Sequence, residues 1–133
     1  MKIDGEGFLE WNPMDVCSKR FDVCDISWRL EEVVFTLVED TLDGTEQRQR
    51  YELIWNSGDI ISYHVSDETY RADCWGETEE FETMGRFYAR KKSSYLEKMQ
   101  KLSPIFPEEA FHFTIIGTNI VVDVLAKNYP DVK

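Results

Sequence analysis

Positive charge is scarce in this chain. Its 133 residues carry 15 Lys and Arg against 26 Asp and Glu, a net charge of −11 at pH 7. Nucleic-acid binding needs a cationic surface that releases counterions from phosphates, and anionic lipid attracts polybasic segments. Neither nucleic acid nor a membrane is therefore an expected partner. Long apolar runs are missing too: nothing approaches the ~20 residues that a membrane-spanning helix needs. The opening residues, MKIDGEGFLEW, lack the continuous apolar stretch of a signal peptide. Only three cysteines occur, Cys17, Cys24 and Cys74, with no C-x-x-C pair. This argues against a zinc site and a disulfide framework and suits a reducing compartment, so the cytoplasm is the expected location. The phosphate-cradling G-x-x-x-x-G-K, the dinucleotide G-x-G-x-x-G, the zinc-binding H-E-x-x-H and the nucleophile elbow G-x-S-x-G are all absent. No cofactor and no metal is expected, and the balance leans away from an enzyme. No repeat, low-complexity tract or Pro/Gly/Ser linker divides the chain, so residues 1–133 are expected to form a single domain.

What is present is apolar and aromatic. Hydrophobic residues make up 42% of the chain and aromatics 14%, enough for a core without disulfide or metal staples. The acidity is uneven: residues 1–47 carry net −8, residues 48–82 net −6, and residues 83–133 net +3. Such acidity serves solubility first; its sharper use is electrostatic steering toward a basic partner.

The pattern predicts an α+β fold, mainly antiparallel β-sheet with one short helix packed on it. Val33–Glu39 is a β-branched run suited to a strand covered on both faces. Asp43-Gly44 is a hairpin-turn pair, and Gln49–Trp55 follows as a strand with Tyr51, Leu53 and Trp55 on one side. Asn56-Ser-Gly-Asp59 is a second turn signal, and Ile60–Val65 a third strand, with Ile61, Tyr63 and Val65 alternating against Ser62 and His64. Together these predict a three-stranded meander, paired antiparallel in sequence order. Phe8, Leu9 and Trp11 suggest a short strand ending at Asn12-Pro13, whereas Val23, Ile26 and Trp28 show no convincing period. Arg71–Trp75 and Gly85–Arg90 suggest further short strands around an acidic loop at 76–83. Ser94 and Glu97 form the S-x-x-E pattern of a helix start, predicting a helix over 94–102 with Leu96, Met99 and Leu102 at helical spacing. Phe111, Phe113 and Ile115 alternate with His112, Thr114 and Ile116, as in a strand. Ile120–Leu125 is β-branched enough to favour a closing strand, with a short helix capped by Asn119 as the alternative.

Candidate chemistry is sparse. His64 shares a strand face, expected to be solvated, with Ser62, and Asp67 and Glu68 follow. A Ser, a His and a carboxylate are the ingredients of a hydrolytic triad, but no oxyanion-forming loop accompanies them, and a polar strand face is the commoner explanation. His112 lies between Phe111 and Phe113 and reads as a hydrogen-bonded strand histidine. The densest acids are Glu77, Glu79, Glu80 and Glu82, without the ligand spacing of a calcium loop. Flanked by Trp75 and Phe81, they read as a candidate partner-binding surface, since aromatic anchors dominate interface energies. Arg86, Arg90, Lys91 and Lys92 form the one basic cluster and are expected to pair with the protein's own acids.

SYHVSDE at 62–68, Trp75, FYARKKSSYLEKM at 87–99 and FHFTIIGTNIVVDVLAKNYPDV at 111–132 resemble a group of small uncharacterised proteins from Gram-positive bacteria. The group's pattern runs S-Y-R-V-S-D-E, then S-x-Y-L, then a closing strand into D-V-L; His64 stands where that pattern has Arg. The resemblance spans about half of the chain. The group's size, acidity and β-rich pattern are similar to those of toxin-immunity proteins, and the resemblance names no catalytic residue. The expectation is a non-enzymatic protein-binding protein, an immunity-like inhibitor of a basic toxin. A small hydrolase or ligand-binding enzyme using His64, and an oligomeric structural or regulatory subunit, are the alternatives. The oligomeric state is left open.

Overall fold

Strand alternation sorts the apolar side chains of this protein onto two sheet faces that close on one another. The computed structural model describes residues 8–9, 11, 13, 21–39, 49–70 and 87–133. Its strands are β1 (Phe8–Leu9), β2 (Phe21–Trp28), β3 (Glu32–Glu39), β4 (Arg50–Asn56), β5 (Ile60–Asp67), β6 (Phe87–Arg90), β7 (Phe111–Ile116), β8 (Ile120–Ala126) and β9 (Asp131–Val132). A single 3-10 turn, Glu68–Tyr70, follows β5, and helix α1 spans Ser94–Leu102. One sheet runs β2-β3-β4-β9 and the other β1-β6-β7-β8-β5, every pairing antiparallel. The fold is thus mainly antiparallel sheet with one short helix packed on it. The Ile120–Leu125 segment is a strand, as its β-branched content favoured.

The core lies between the sheets. Val33, Phe35, Leu37, Leu53 and Trp55 of the first sheet meet Phe87, Ala89, Phe113, Ile115, Val122 and Val124 of the second, with Trp11 among them. The Phe113 ring sits 4.8 Å from Trp11 and 5.3 Å from Trp55. The Trp55 indole donates to the Asn128 carbonyl at 2.8 Å, so this buried ring keeps its polar atom satisfied.

The meander does not form as expected. β3 and β4 pair antiparallel in sequence order, Val33 opposite Trp55, but β5 does not pair with β4. The Asn56–Asp59 turn carries the chain to the other sheet, where β5 lies beside β8 with Tyr63 opposite Val124. The free edge of β4 is taken by β9 instead, with Leu53 opposite Val132. Local alternation encodes which face is apolar, not which neighbour a strand finds. Here Tyr63 faces Phe35 across the core, the ring centres 5.5 Å apart. The Asp43-Gly44 turn and the Arg71–Trp75 strand lie outside the described residues.

Two bulges explain why parts of the pattern misread. In β2 the register shifts between Val23 and Asp25, leaving Cys24 as the extra residue. Phe21, Val23, Ile26 and Trp28 can then all face inward although their spacing is not strictly two. In β5 the shift falls between Ile60 and Ser62. Ile60 and Tyr63 therefore face the core while Ile61 packs under α1, not on the side of Tyr63 as alternation predicts.

The helix begins as predicted, but with a different cap. Ser93, not Ser94, is the N-cap: its backbone is extended and its hydroxyl accepts from the Leu96 amide at 3.0 Å. The S-x-x-E pattern selects Ser94, since Leu96 and not an acid stands three residues after Ser93, but Ser93 is the serine buried beside β7. Leu96 is buried and, with Tyr95 and Met99, packs on Ala110, Leu125, Ile61 and Phe106; Leu102 points to solvent instead. Ser93→Ala should cost about 2 kcal/mol, a lost cap plus an orphaned partner on the sheet, whereas the exposed Ser94→Ala should stay within about 0.5 kcal/mol. Urea melts at unchanged slope report both, and a lower midpoint for Ser94→Ala than for Ser93→Ala would return the cap to Ser94.

Candidate functional site

Cross-strand register sets the polar groups of the larger sheet in two rows on its outer face. One row runs Ser62, Leu125, His112, Arg90; the next runs His64, Asp123, Thr114, Tyr88. Helix α1 crosses these rows. Of the two polar residues on that face of β5, Ser62 is partly covered, its hydroxyl bonding the Tyr95 hydroxyl at 2.7 Å, while His64 stays exposed.

Beneath α1 runs a buried chain of hydrogen bonds. His112 Nε2 lies 2.6 Å from Asp123 Oδ1, and Thr114 donates to the same oxygen at 3.0 Å. His112 Nδ1 lies 2.7 Å from Ser93 Oγ, which in turn accepts from Leu96 N. A carboxylate only accepts, so Nε2 carries hydrogen. His112 Nδ1 and the Ser93 hydroxyl share the next hydrogen bond of the chain. Ser, His and Asp thus stand in line beneath the helix. Ser93 is only 5% exposed, its oxygen is engaged by the helix terminus, and it does not line the adjoining cleft. The line fastens α1 to β7 and β8.

That cleft opens between the first half of α1 and the sheet, with a volume of about 500 Å³. His64 and Ser66 form one wall, Ser94, Tyr95, Lys98 and Met99 the other, and Arg90, His112 and Asp123 the floor. Tyr95 stands between the two histidines, its ring 5.4 Å from His112 and 6.3 Å from His64. Burial raises the Tyr95 phenol above its ordinary value, the Ser62 hydroxyl opposes this, and the Asp123 charge adds to it. The phenol therefore stays protonated at neutral pH. The sequence-level grouping of Ser62, His64 and Asp67 does not assemble: Ser62 bonds Tyr95, the Asp67 carboxylate accepts from the Thr69 amide at 2.9 Å, and His64 bonds Ser66 at 3.2 Å.

A second feature lies where the two sheets part. Among the described residues β2 and β5 are edge strands of opposite sheets, and the rings of Trp28 and Tyr63 meet across them at 6.0 Å. Trp28 is 55% exposed, Leu30 at the adjoining turn 93%, Val65 43% and Tyr70 84%. Asp25, Glu31 and Asp67 are exposed on the same strands and turn. Arg29 at the turn is paired with Glu32 at 3.2 Å. The Asp67 carboxyl is held below its usual range by the Thr69 amide, so it stays charged.

Trp75, Glu77, Glu79, Glu80, Phe81 and Glu82 lie outside the described residues. Sequence reasoning missed Ser93 and Asp123 as members of the buried line, and Trp28 and Leu30 as exposed aromatic and aliphatic groups. A signal existed for each: one carboxylate inside the apolar run Ile120–Ala126, and a Trp-Arg-Leu-Glu-Glu stretch too short to bury both of its large residues. Among the described residues no group of three or more His, Cys, Asp or Glu could hold a metal ion. No helix among them is long and apolar enough to cross a membrane. No protein-family model, curated protein or solved structure matches this chain.

Proposed function

We propose that the protein is a non-enzymatic binding module that holds a basic partner protein across the open β2/β5 side, in the manner of an immunity-like inhibitor. The observation that carries this reading is the set of large apolar side chains left exposed along β2, β5 and the turns that flank them, Trp28, Leu30, Val65 and Tyr70, with Asp25, Glu31 and Asp67 exposed on the same elements. Exposed aromatic anchors ringed by charge of one sign fit a partner with the opposite charge. The acidic stretch Trp75–Glu82 follows Tyr70 within a few residues of chain and belongs to the proposed contact. Self-association through the β2 edge finds less support, because Asp22, Asp25 and the bulge at Cys24 are features that discourage strand-to-strand pairing. A hydrolase built on His64 also finds less support, since Ser62 and Asp67 are engaged elsewhere.

The test is capture from the native host, followed by kinetics with the recovered protein. Trp28→Ala should weaken binding about thirtyfold, mainly through faster dissociation. A combined Asp25→Asn, Glu31→Gln, Asp67→Asn variant should slow association and flatten its salt dependence. Binding indifferent to both variants would move the interface elsewhere, and hydrolase turnover lost in His64→Ala would hand the case to the enzyme.

A further inference from the structure

We propose that the cleft beneath α1 binds a small organic oxyanion, a carboxylate or phosphate monoester carried on an apolar body. The proposal is independent of the protein-binding reading, since the cleft lies on the outer face of the larger sheet and not between the sheets.

Three observations converge. The first is size: about 500 Å³ lies within the range of small-ligand sites and far exceeds what one or two waters need. The second is charge. In a chain of net −11, Arg90 from β6, Lys98 from α1 and His64 from β5 reach the same cleft from three separate elements. The two cations, Arg90 and Lys98, come from residues 83–133, the segment with a net positive balance. Asp123 is the one carboxylate among the described lining residues, and it already accepts hydrogen bonds from His112 and Thr114. The third is the character of the walls. Tyr95 and Met99 present an aromatic face and a polarisable thioether for an apolar body. Ser66 and Ser94 add hydroxyls that can orient an oxyanion. A ligand seated there would rest its body on Tyr95 and Met99 and turn its oxyanion toward Lys98, Arg90 and His64.

The experiment uses the whole chain and three probes of similar size: phenyl phosphate, benzoate and uncharged benzyl alcohol. Binding is followed by NMR through the amides of Ser66, Tyr95 and Lys98 and the ring protons of the protein's two histidines. Saturable shifts confined to these residues are expected with an oxyanion and not with benzyl alcohol, and the two anion arms tell carboxylate from phosphate. Lys98→Glu should weaken binding about tenfold. Lys101→Glu makes the same change of net charge on the same helix outside the cleft, and should weaken it less than about twofold. Both lysines are exposed, so neither variant threatens the fold. Equal shifts with benzyl alcohol, equal weakening by the two lysine variants, or no saturable response to either anion at millimolar concentration would overturn the proposal.

Discussion

Phe113→Ala should lower the free energy of unfolding by about 4 kcal/mol, a large part of what a domain of this size possesses. The ring is fully buried and lies within 4.8 to 5.8 Å of the ring centres of Trp11, Trp55, Phe111 and Tyr129. Those neighbours come from both sheets and from the segments before β2 and after β8. They are held by strand pairing and by the Trp55–Asn128 hydrogen bond, so they cannot all collapse into the void. A cavity remains, and its cost adds to the lost transfer energy. Urea melts followed by tryptophan fluorescence would measure the loss. A cost below about 1.5 kcal/mol would mean that the two sheets are not packed through this ring.

His112→Ala should cost about 3 kcal/mol by a different route. Removing the imidazole leaves the Asp123 carboxylate without its shortest hydrogen bond and the Ser93 hydroxyl without its partner on the sheet. Both groups are buried, and a buried polar group stripped of a partner loses more than the bond itself contributed. The diagnostic is a double-mutant cycle. Asp123→Leu and His112→Leu should each destabilise, while the double variant should cost less than their sum, because neither an orphaned carboxylate nor an orphaned imidazole is left behind. Strict additivity would show that the line from Ser93 to Asp123 is a set of separate contacts. A pure packing role for His112 would likewise leave Asp123→Leu unaffected by the state of residue 112.

The candidate sites show what a sequence conceals. His112 was readable as a strand histidine opposite Phe111 and Phe113, but nothing local says whether that face meets water or a helix. Its partners lie 19 and 11 residues away, Ser93 before the helix and Asp123 in the next strand. Only the antiparallel register of β7 and β8, with Thr114 opposite Asp123, brings them together. Ser62 and His64 were legible as neighbours on one strand face, and the structure keeps them there. It places Ser62 beside α1, however, where it serves Tyr95 rather than a histidine.

The sequence by itself determined the secondary structure of β3, β4, β7 and α1, because β-branched alternation, turn residues and a serine cap act within a few residues of chain. It determined the acidity and its concentration before residue 83, which are sums over composition. Tertiary structure decided which sheet received β5, since a turn such as Asn56–Asp59 can reverse a strand beside its predecessor or carry it across the core. The second path won because it sets Tyr63 against Phe35 and leaves the edge of β4 to β9. Tertiary structure also decided the inward face of β2, whose bulge at Cys24 changes the spacing midway, and chose Ser93 over Ser94 by burying one and exposing the other. Where a side chain's role depends on a partner in another element, it is packing between elements, absent from any local pattern, that sets it.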